Sequence, residues 1–448
     1  MTNDMTTGNP VKLILAFTIP VALGNIFQQF YNIADSIIAG QFIGVDGLAA
    51  IGSTTSLIFL VNGFVTGLTS GFSIWISQWF GAGKIDTMKH YAAMSIYLCA
   101  AFIIVMTGGL LVANEPILRM MNSPEHLIGD ISNYMAIIYA GLIVNFAYNA
   151  LAGVLRALGD SKSPLYFLVI ASLINILLDI VFIAIFNMGV EGCGYATVIA
   201  QGISSLLCFI FILKKFHILR LSKKDFEISF RTMNELLKLG IPMALQFSIT
   251  AIGTIIVQGA VNIFGPSKMA GFAAAGKIQG LACTIFVSFG VTIATYVGQN
   301  RGAGKIDRVK KGVYITQLML FASSFILMAL IYFFGKYMLL AFVDPSETEV
   351  LIAGQTYFKT IVWAYPFLAS IFLYRNALQG MGYGLIPMLG GIFELVARAG
   401  VVAIISGHAN YTGVCLTDPA AWVAALIPLV PYYFWIMRKK HSSSTSCA

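Results

Sequence analysis

Twelve apolar stretches, each long enough to cross a membrane, occupy most of this chain between Val11 and Met437. They lie near 12–38, 47–78, 91–113, 131–155, 164–187, 193–213, 236–264, 269–298, 312–335, 351–378, 386–406 and 419–437. Crossing a hydrocarbon core about 30 Å thick takes roughly 20 apolar helical residues. Only helices and closed barrels satisfy their backbone polar groups there. These runs are too long and too uniformly apolar for the alternating strands of a membrane barrel. Of the 448 residues 58% are hydrophobic and only 10% charged, whereas soluble domains carry roughly 25% charge. The expected fold is all-α and polytopic, with twelve transmembrane helices. The first stretch is too long for a cleavable signal and is expected to be retained.

A formal charge of +8 raises the question of an acidic partner, but the basic residues are not gathered in one patch. They recur in alternate loops. With the N-terminus on the cytoplasmic side, 21 of the 27 Lys and Arg fall in inside loops or tails, including Lys84, Lys89, Arg156, Lys162, 214–231, 301–311 and 438–440. Arg119, Lys268 and Lys336 fall outside, while Lys277, Lys359 and Arg398 lie in or at the ends of spans. The positive-inside rule then places both termini in the cytoplasm of a multi-pass plasma-membrane protein. The basic charge reads as topology, with a minor attraction to anionic lipid and no nucleic-acid partner.

The chain repeats itself. QWFGAGKID at 78–86 returns as QNRGAGKID at 299–307, an offset of 221 residues. FTIPVAL at 17–23 is similar to LGIPMAL at 239–245, and NALAG at 149–153 to NALQG at 376–380. Six helices separate equivalent positions, so the two halves run parallel, as two six-helix bundles. The expected organisation is one bundle over 1–213, a cytoplasmic linker over 214–235, a second bundle over 236–440 and a polar tail over 441–448, expected to be disordered. The linker, mixing charged and apolar residues, suggests an interfacial helix. Parallel halves of this kind suit a transporter that rocks two bundles about a cavity.

GAGKID lacks the GxxxxGK[ST] spacing of a phosphate loop and follows a membrane span instead of a buried strand. It reads as a connector: a glycine turn, a lysine and a helix-starting aspartate. No nucleotide partner is expected. The six cysteines, Cys99, Cys193, Cys208, Cys283, Cys415 and Cys447, show neither CxxC nor metal-like spacing, so no redox or structural-metal role is expected. No Asp-rich metal motif, HExxH or nucleophile elbow suggests an enzyme.

Together, the proline of FTIPVAL, the aspartate of FYNIADSIIAG, the duplicated QWFGAGKID loop and the Asn175 to Asp179 pair of NILLDIVFI resemble the multidrug and toxic compound extrusion (MATE) transporters. The resemblance covers the chain from about Pro10 to Arg438. It implies an efflux antiporter that expels small amphipathic, often cationic, molecules in exchange for Na⁺ or H⁺, with no other cofactor. The family's first-helix acid, fifth-helix Asn and Asp, and sixth-helix Thr match Asp35, Asn175, Asp179 and Thr197, a possible Na⁺ site. The seventh-helix glutamate of one branch is absent from IPMALQFSITAIGTIIVQ, which resembles the branch named for DNA-damage-inducible protein F. The chain is expected to act as a monomer.

Depth along the spans makes the same four residues neighbours. The first helix carries Asp35 into its outer half, the fifth places Asn175 near mid-depth and Asp179 further out, and the sixth brings Thr197 to a similar level. Asn175 and Asp179, four apart, share a helical face. A bare carboxylate in hydrocarbon is costly and usually marks function, although a cluster of interhelical hydrogen bonds also accounts for Asn and Thr. Asn149 lies deeper and is a weaker candidate. In the second half Glu394 and Arg398, again four apart, are placed to neutralise each other as a structural pair. Near Val257 and Val402, which correspond to Asp35 and Asp179, that half is apolar. Tyr139, Trp363, Tyr365, Phe367 and the 18 Met residues are available to line an adaptable apolar cavity. Two other functions fit a polytopic bundle: a flippase for lipid-linked oligosaccharides, favoured by a cavity with several cations, and a membrane transferase. Arg398 and Lys277 are too few to favour the first.

Overall fold

The computed structural model describes residues 4–121, 125–405 and 410–445. Apolar, helix-compatible runs become helices throughout: α1 (Pro10–Phe42), α2 (Val45–Gly81), α3 (Ile85–Met120), α4 (Ile128–Ala140), α5 (Leu142–Ala157), α6 (Lys162–Asp179) and α7 (Gly189–Lys215). These are followed by α8 (Phe230–Asn262), α9 (Pro266–Gly302), α10 (Ile306–Leu339), α11 (Thr348–Ile361), α12 (Tyr365–Gly380), α13 (Leu385–Ile405), α14 (Tyr411–Cys415) and α15 (Thr417–Thr445). Among the described residues, eleven helices are long and apolar enough to span a membrane. Residues Glu125–Ala140 and Leu142–Ala157 make the twelfth together, bent by 42°. The polar tail continues α15 as helix to Thr445 instead of losing its structure; 446–448, with Cys447, lie outside the described residues.

Two compact units divide the contacts. Leu23–Ala244 makes up the first, and Met5–Ala22 together with Leu245 onward the second. Both α1 and α8 therefore belong to one unit at their start and the other at their end. In each, the change comes two residues after an internal proline, Pro20 or Pro242.

The repeated motifs fold alike in both units. After α2, Gly83 turns at φ 68°, Lys84 precedes the next helix and Asp86 sits in its first turn; after α9, Gly304 turns at φ 71°, followed by Lys305 and Asp307. A positive φ is what glycine supplies cheaply, so the connector sequence is explained by its turn. NALxG places a glycine against the second helix of each unit. A Cβ on Gly153 would lie 3.2 Å from Ser73 of α2, and one on Gly380 2.6 Å from the Ala294 carbonyl of α9.

In the first unit, Gly67 and Gly71 bring α2 onto the backbone of α8: a Cβ at Gly71 would meet Gly240 Cα at 2.5 Å. Small residues four apart allow this approach where lipid provides no hydrophobic drive. The 214–231 loop is not the expected interfacial helix. It forms two single 3₁₀ turns, His217–Leu219 and Lys223–Phe226, the second opened by a capping box of Ser222 and Asp225.

The second unit captures the chain's beginning. The Met5 N–H donates to Gln299 Oε1 (2.8 Å), the Thr6 carbonyl accepts from Lys305 Nζ (2.9 Å), and Arg308 donates to the carbonyls of Met5, Thr7 and Gly8. Asn300 completes the cradle on the Met5 carbonyl at 3.1 Å. Met5 is thereby buried.

Candidate functional site

Three helices and one short segment of the first unit build the principal site. On α1, Tyr31 and Asp35 are one turn apart; on α6, Asn175 and Asp179 are likewise; on α7, so are Cys193 and Thr197. The carboxyls of Asp35 and Asp179 face each other. The Tyr31 hydroxyl lies against Asp35 and 3.3 Å from Thr197 Oγ1. Tyr134, from α4, and Cys193 border the two acids. All four residues expected from the sequence thus lie on the three helices that form this site.

Local structure fixes the acids. Asn175 and Asp179 are each only 1% exposed. Immediately after Asp179 the helix widens into a π-helical segment, Ile180–Ile185. Such a segment inserts an extra residue into the helical repeat and recurs at functional positions. It seats Ile183 in the core of the unit. A Cβ on Gly194 would lie 3.2 Å from the Tyr134 ring, so glycine is what lets α7 close on α4 here.

Among the described residues, Asp35 Oδ1, both carboxyl oxygens of Asp179 and both polar atoms of the Asn175 amide are buried without a hydrogen-bond partner. Buried polar atoms are rarely left so. Here three belong to the two facing acids and two to the amide one turn before Asp179. The set is made of oxygen acceptors and one amide, the chemistry of a hard cation or a proton. Among the described residues no group of three or more His, Cys, Asp or Glu gathers at a metal-binding distance; the polar atoms at this site belong to carboxyl, amide and hydroxyl groups.

Asn149 belongs to a different cluster. Its amide donates to the Asn145 side chain (3.2 Å) and its Oδ1 accepts from Thr66 (3.4 Å), while Asn145 donates to Asn62 (3.2 Å) and Gln201 (3.4 Å). Gln201 is one turn along α7 from Thr197. The amide cluster therefore continues the polar track of the acids along one helix.

The expected Glu394–Arg398 pair does not form. Glu394 instead accepts from Arg375 at 3.0 Å and Arg398 binds Asp418 at 3.1 Å. The partners come instead from α12 and α15, so each charge of α13 is neutralised by a neighbouring helix. Arg375, counted in the sequence among the cytoplasmic charges, is buried in this unit. Of the four aromatics proposed to line a cavity, Tyr139 and Tyr365 are fully buried in the cores and Trp363 and Phe367 are exposed.

An all-helical bundle of two repeated six-span halves, each with charged side chains buried in it, is the architecture of a polytopic membrane protein. The MatE family model matches residues 20–181 and 242–404, once in each half. The chain belongs to the MatE family, whose members are transporters and not enzymes. It is 29% identical to the probable multidrug resistance protein YpnP of Bacillus subtilis (strain 168) over 418 residues, 92% of each chain, and 27% identical to YoeA of the same strain over 436 residues, 95% of this chain and 93% of YoeA. An FAD transporter of Shewanella oneidensis is 21% identical over 374 residues, 82% of each. Among solved structures, a MATE in complex with MaL6 superposes with a TM-score of 0.92 at 22% identity, covering 98% of this chain and 99% of the other. An outward-facing multidrug resistance MATE transporter gives 0.91 at the same identity, covering 98% of each. These structures share the fold.

Proposed function

We propose that this chain is a secondary efflux antiporter of the plasma membrane, exporting amphipathic, often cationic, compounds in exchange for Na⁺ or H⁺. The family and the relatives named as multidrug resistance proteins support export of drugs. The observation that carries ion coupling is the facing pair Asp35 and Asp179, of which Asp35 Oδ1 and both Asp179 oxygens are buried with no hydrogen-bond partner among the described residues. Two carboxylates held together in a low-dielectric pocket repel, and a proton or a cation between them relieves that repulsion. Proton and Na⁺ are then alternative occupants of one site, with Asn175 and Thr197 supplying further oxygens. Filling or emptying it changes the packing of α1 against α6, which alters the room left for a drug beside the amide cluster of Asn62, Asn145, Asn149 and Gln201.

The test is dye transport in inside-out vesicles with Na⁺ and proton gradients imposed separately. Asp35→Asn and Asp179→Asn each abolish gradient-driven transport at normal expression, while Asp86→Asn, in the first turn of α3, has a smaller effect. Full ion-driven transport by either membrane-aspartate variant across several pH values refutes coupling at that carboxyl.

A further inference from the structure

The second unit contains a half-open cavity of about 310 Å³ lined by α8, α9, α11, α12, α13 and α15. Val257, the counterpart of Asp35 in the duplicated sequence, lies in its wall. The same location in the repeat therefore lies beside buried charged side chains in both units. Its chemistry has been inverted: in place of two bare acids, this pocket holds Arg375, Glu394, Arg398 and Asp418.

The acids in this cavity are already engaged. Asp418 Oδ1 accepts from Arg398 Nε (3.3 Å) and Nη2 (3.1 Å), and Asp418 Oδ2 accepts from the Tyr357 hydroxyl (3.0 Å). Tyr357 also touches Gln279. Glu394 Oε2 accepts from Arg375 Nη2 (3.0 Å). The arginines keep donors in reserve. Arg375 Nε and Arg398 Nη1 are buried with no hydrogen-bond partner among the described residues, although the two residues are only 7% and 5% exposed. A guanidinium offers five N–H donors in a planar fork matched to carboxylate. Gly253 makes room for this fork, since a Cβ there would lie 2.9 Å from Arg398 Nη1.

The remaining walls carry three flat aromatic faces, Phe272, Phe372 and Trp422, beside aliphatic side chains and the polar ends of Thr250, Thr254, Gln258 and Gln279. A volume near 300 Å³ is at the small end of ligand pockets and suits one aromatic ring with a short substituent. Charged groups inside a membrane bundle are expensive to keep unless they do something. Two ion pairs with spare donors are poor partners for a cation, which would face the guanidiniums, and good ones for an acceptor.

We propose that this cavity is a second ligand site of the transporter, taking the acidic group of a small aromatic molecule with Arg375 and Arg398 as donors and the aromatic wall as a bed for the ring. The compounds handled by the chain then include aromatic acids or zwitterions in addition to cations. The site lies in the unit that lacks the facing aspartates, so its occupancy is separable from ion coupling.

Fluorine NMR of the purified full chain in nanodiscs tests this with a matched pair of probes, para-trifluoromethyl benzoate and para-trifluoromethyl benzylammonium. The benzoate binds at millimolar concentration and the ammonium does not. Arg375→Lys and Arg398→Lys, which keep each charge and its ion pair but lose the fork, each weaken benzoate binding at least tenfold, and Asp35→Asn leaves it unchanged. Preference for the ammonium, binding of neither probe to the native chain, or benzoate binding indifferent to both lysine variants overturns the proposal. The probe comparison on the native chain stands even where a variant fails to fold.

Discussion

Arg398 donates to Asp418 at 3.1 Å and leaves Glu394, one turn away on its own helix, to Arg375. The two pairs tie α13 to α15 on one side and to α12 on the other. Breaking a buried pair by removing one charge strands the other, at a cost of about 3–5 kcal/mol. Glu394→Gln and Asp418→Asn are therefore expected to lower thermal stability in micelles, followed by tryptophan fluorescence, whereas exchanging the partners in Arg375→Glu with Glu394→Arg recovers most of the loss. A double exchange no more stable than Glu394→Gln alone contradicts the pairing.

Backbone contact between α2 and α8 makes a second prediction. At Gly71 a methyl group would sit 2.5 Å from Gly240 Cα, which a helix backbone cannot yield to, while at Gly108 nothing lies within 4 Å. Overpacking of this kind costs typically about 1–3 kcal/mol. Gly71→Ala should reduce the melting temperature and yield of folded protein, and Gly108→Ala should leave both near the native values. Equal behaviour of the two variants would mean that α2 and α8 are not packed as described.

The loop between the halves should loosen in acid. Slight burial pushes the Asp225 carboxyl up, but its bonds from the Ser222 N–H (2.6 Å) and hydroxyl (2.8 Å) outweigh that and hold it below its ordinary 3.8. A carboxyl whose folded value is depressed stabilises above its unfolded value, about 3.9, and that stability is lost as pH falls through the folded value. Protease cutting within 220–229 is expected to be flat with pH above about 4 and to rise below it, in a limited digestion with an acid-stable protease. Asp225→Asn should remove this dependence and cut readily at every pH.

Topology supplies the fourth prediction. In a cysteine-free background, Ser346→Cys should react with a membrane-impermeant thiol reagent added to intact cells, and Lys223→Cys should react only after the membrane is opened. The reverse pattern would put both termini on the other side.

Much of the fold is visible in the primary structure because apolar length and a repeat near 221 residues are carried by many positions at once, and the family match begins at 20 and again at 242. Asp35 and Asp179 were legible for the opposite reason: each is a lone charge in an apolar run. Tyr31, Tyr134 and Cys193 were not, since tyrosine and cysteine are ordinary membrane residues, although Tyr31 and Cys193 sit one turn before Asp35 and Thr197. Arg375 and Asp418 lie near the ends of apolar runs, where a charge reads as loop. Their partners sit on the next span, 19 and 20 residues away, a separation that no within-helix spacing encodes. The π-helical turn after Asp179 likewise leaves no pattern in IVFIAI.

The cradle around Met5 has a consequence for synthesis. Its side chains, the acceptor Gln299 and the donors Asn300, Lys305 and Arg308, emerge from the ribosome 294 to 303 residues after the peptide they hold. The opening segment must wait beside the translocon while seven further spans are inserted, and its capture is one of the last contacts to form, since closing so long a separation is entropically late. A bulky domain joined just before Met5 burdens assembly at that closing step, after every helix of the first unit is already in place.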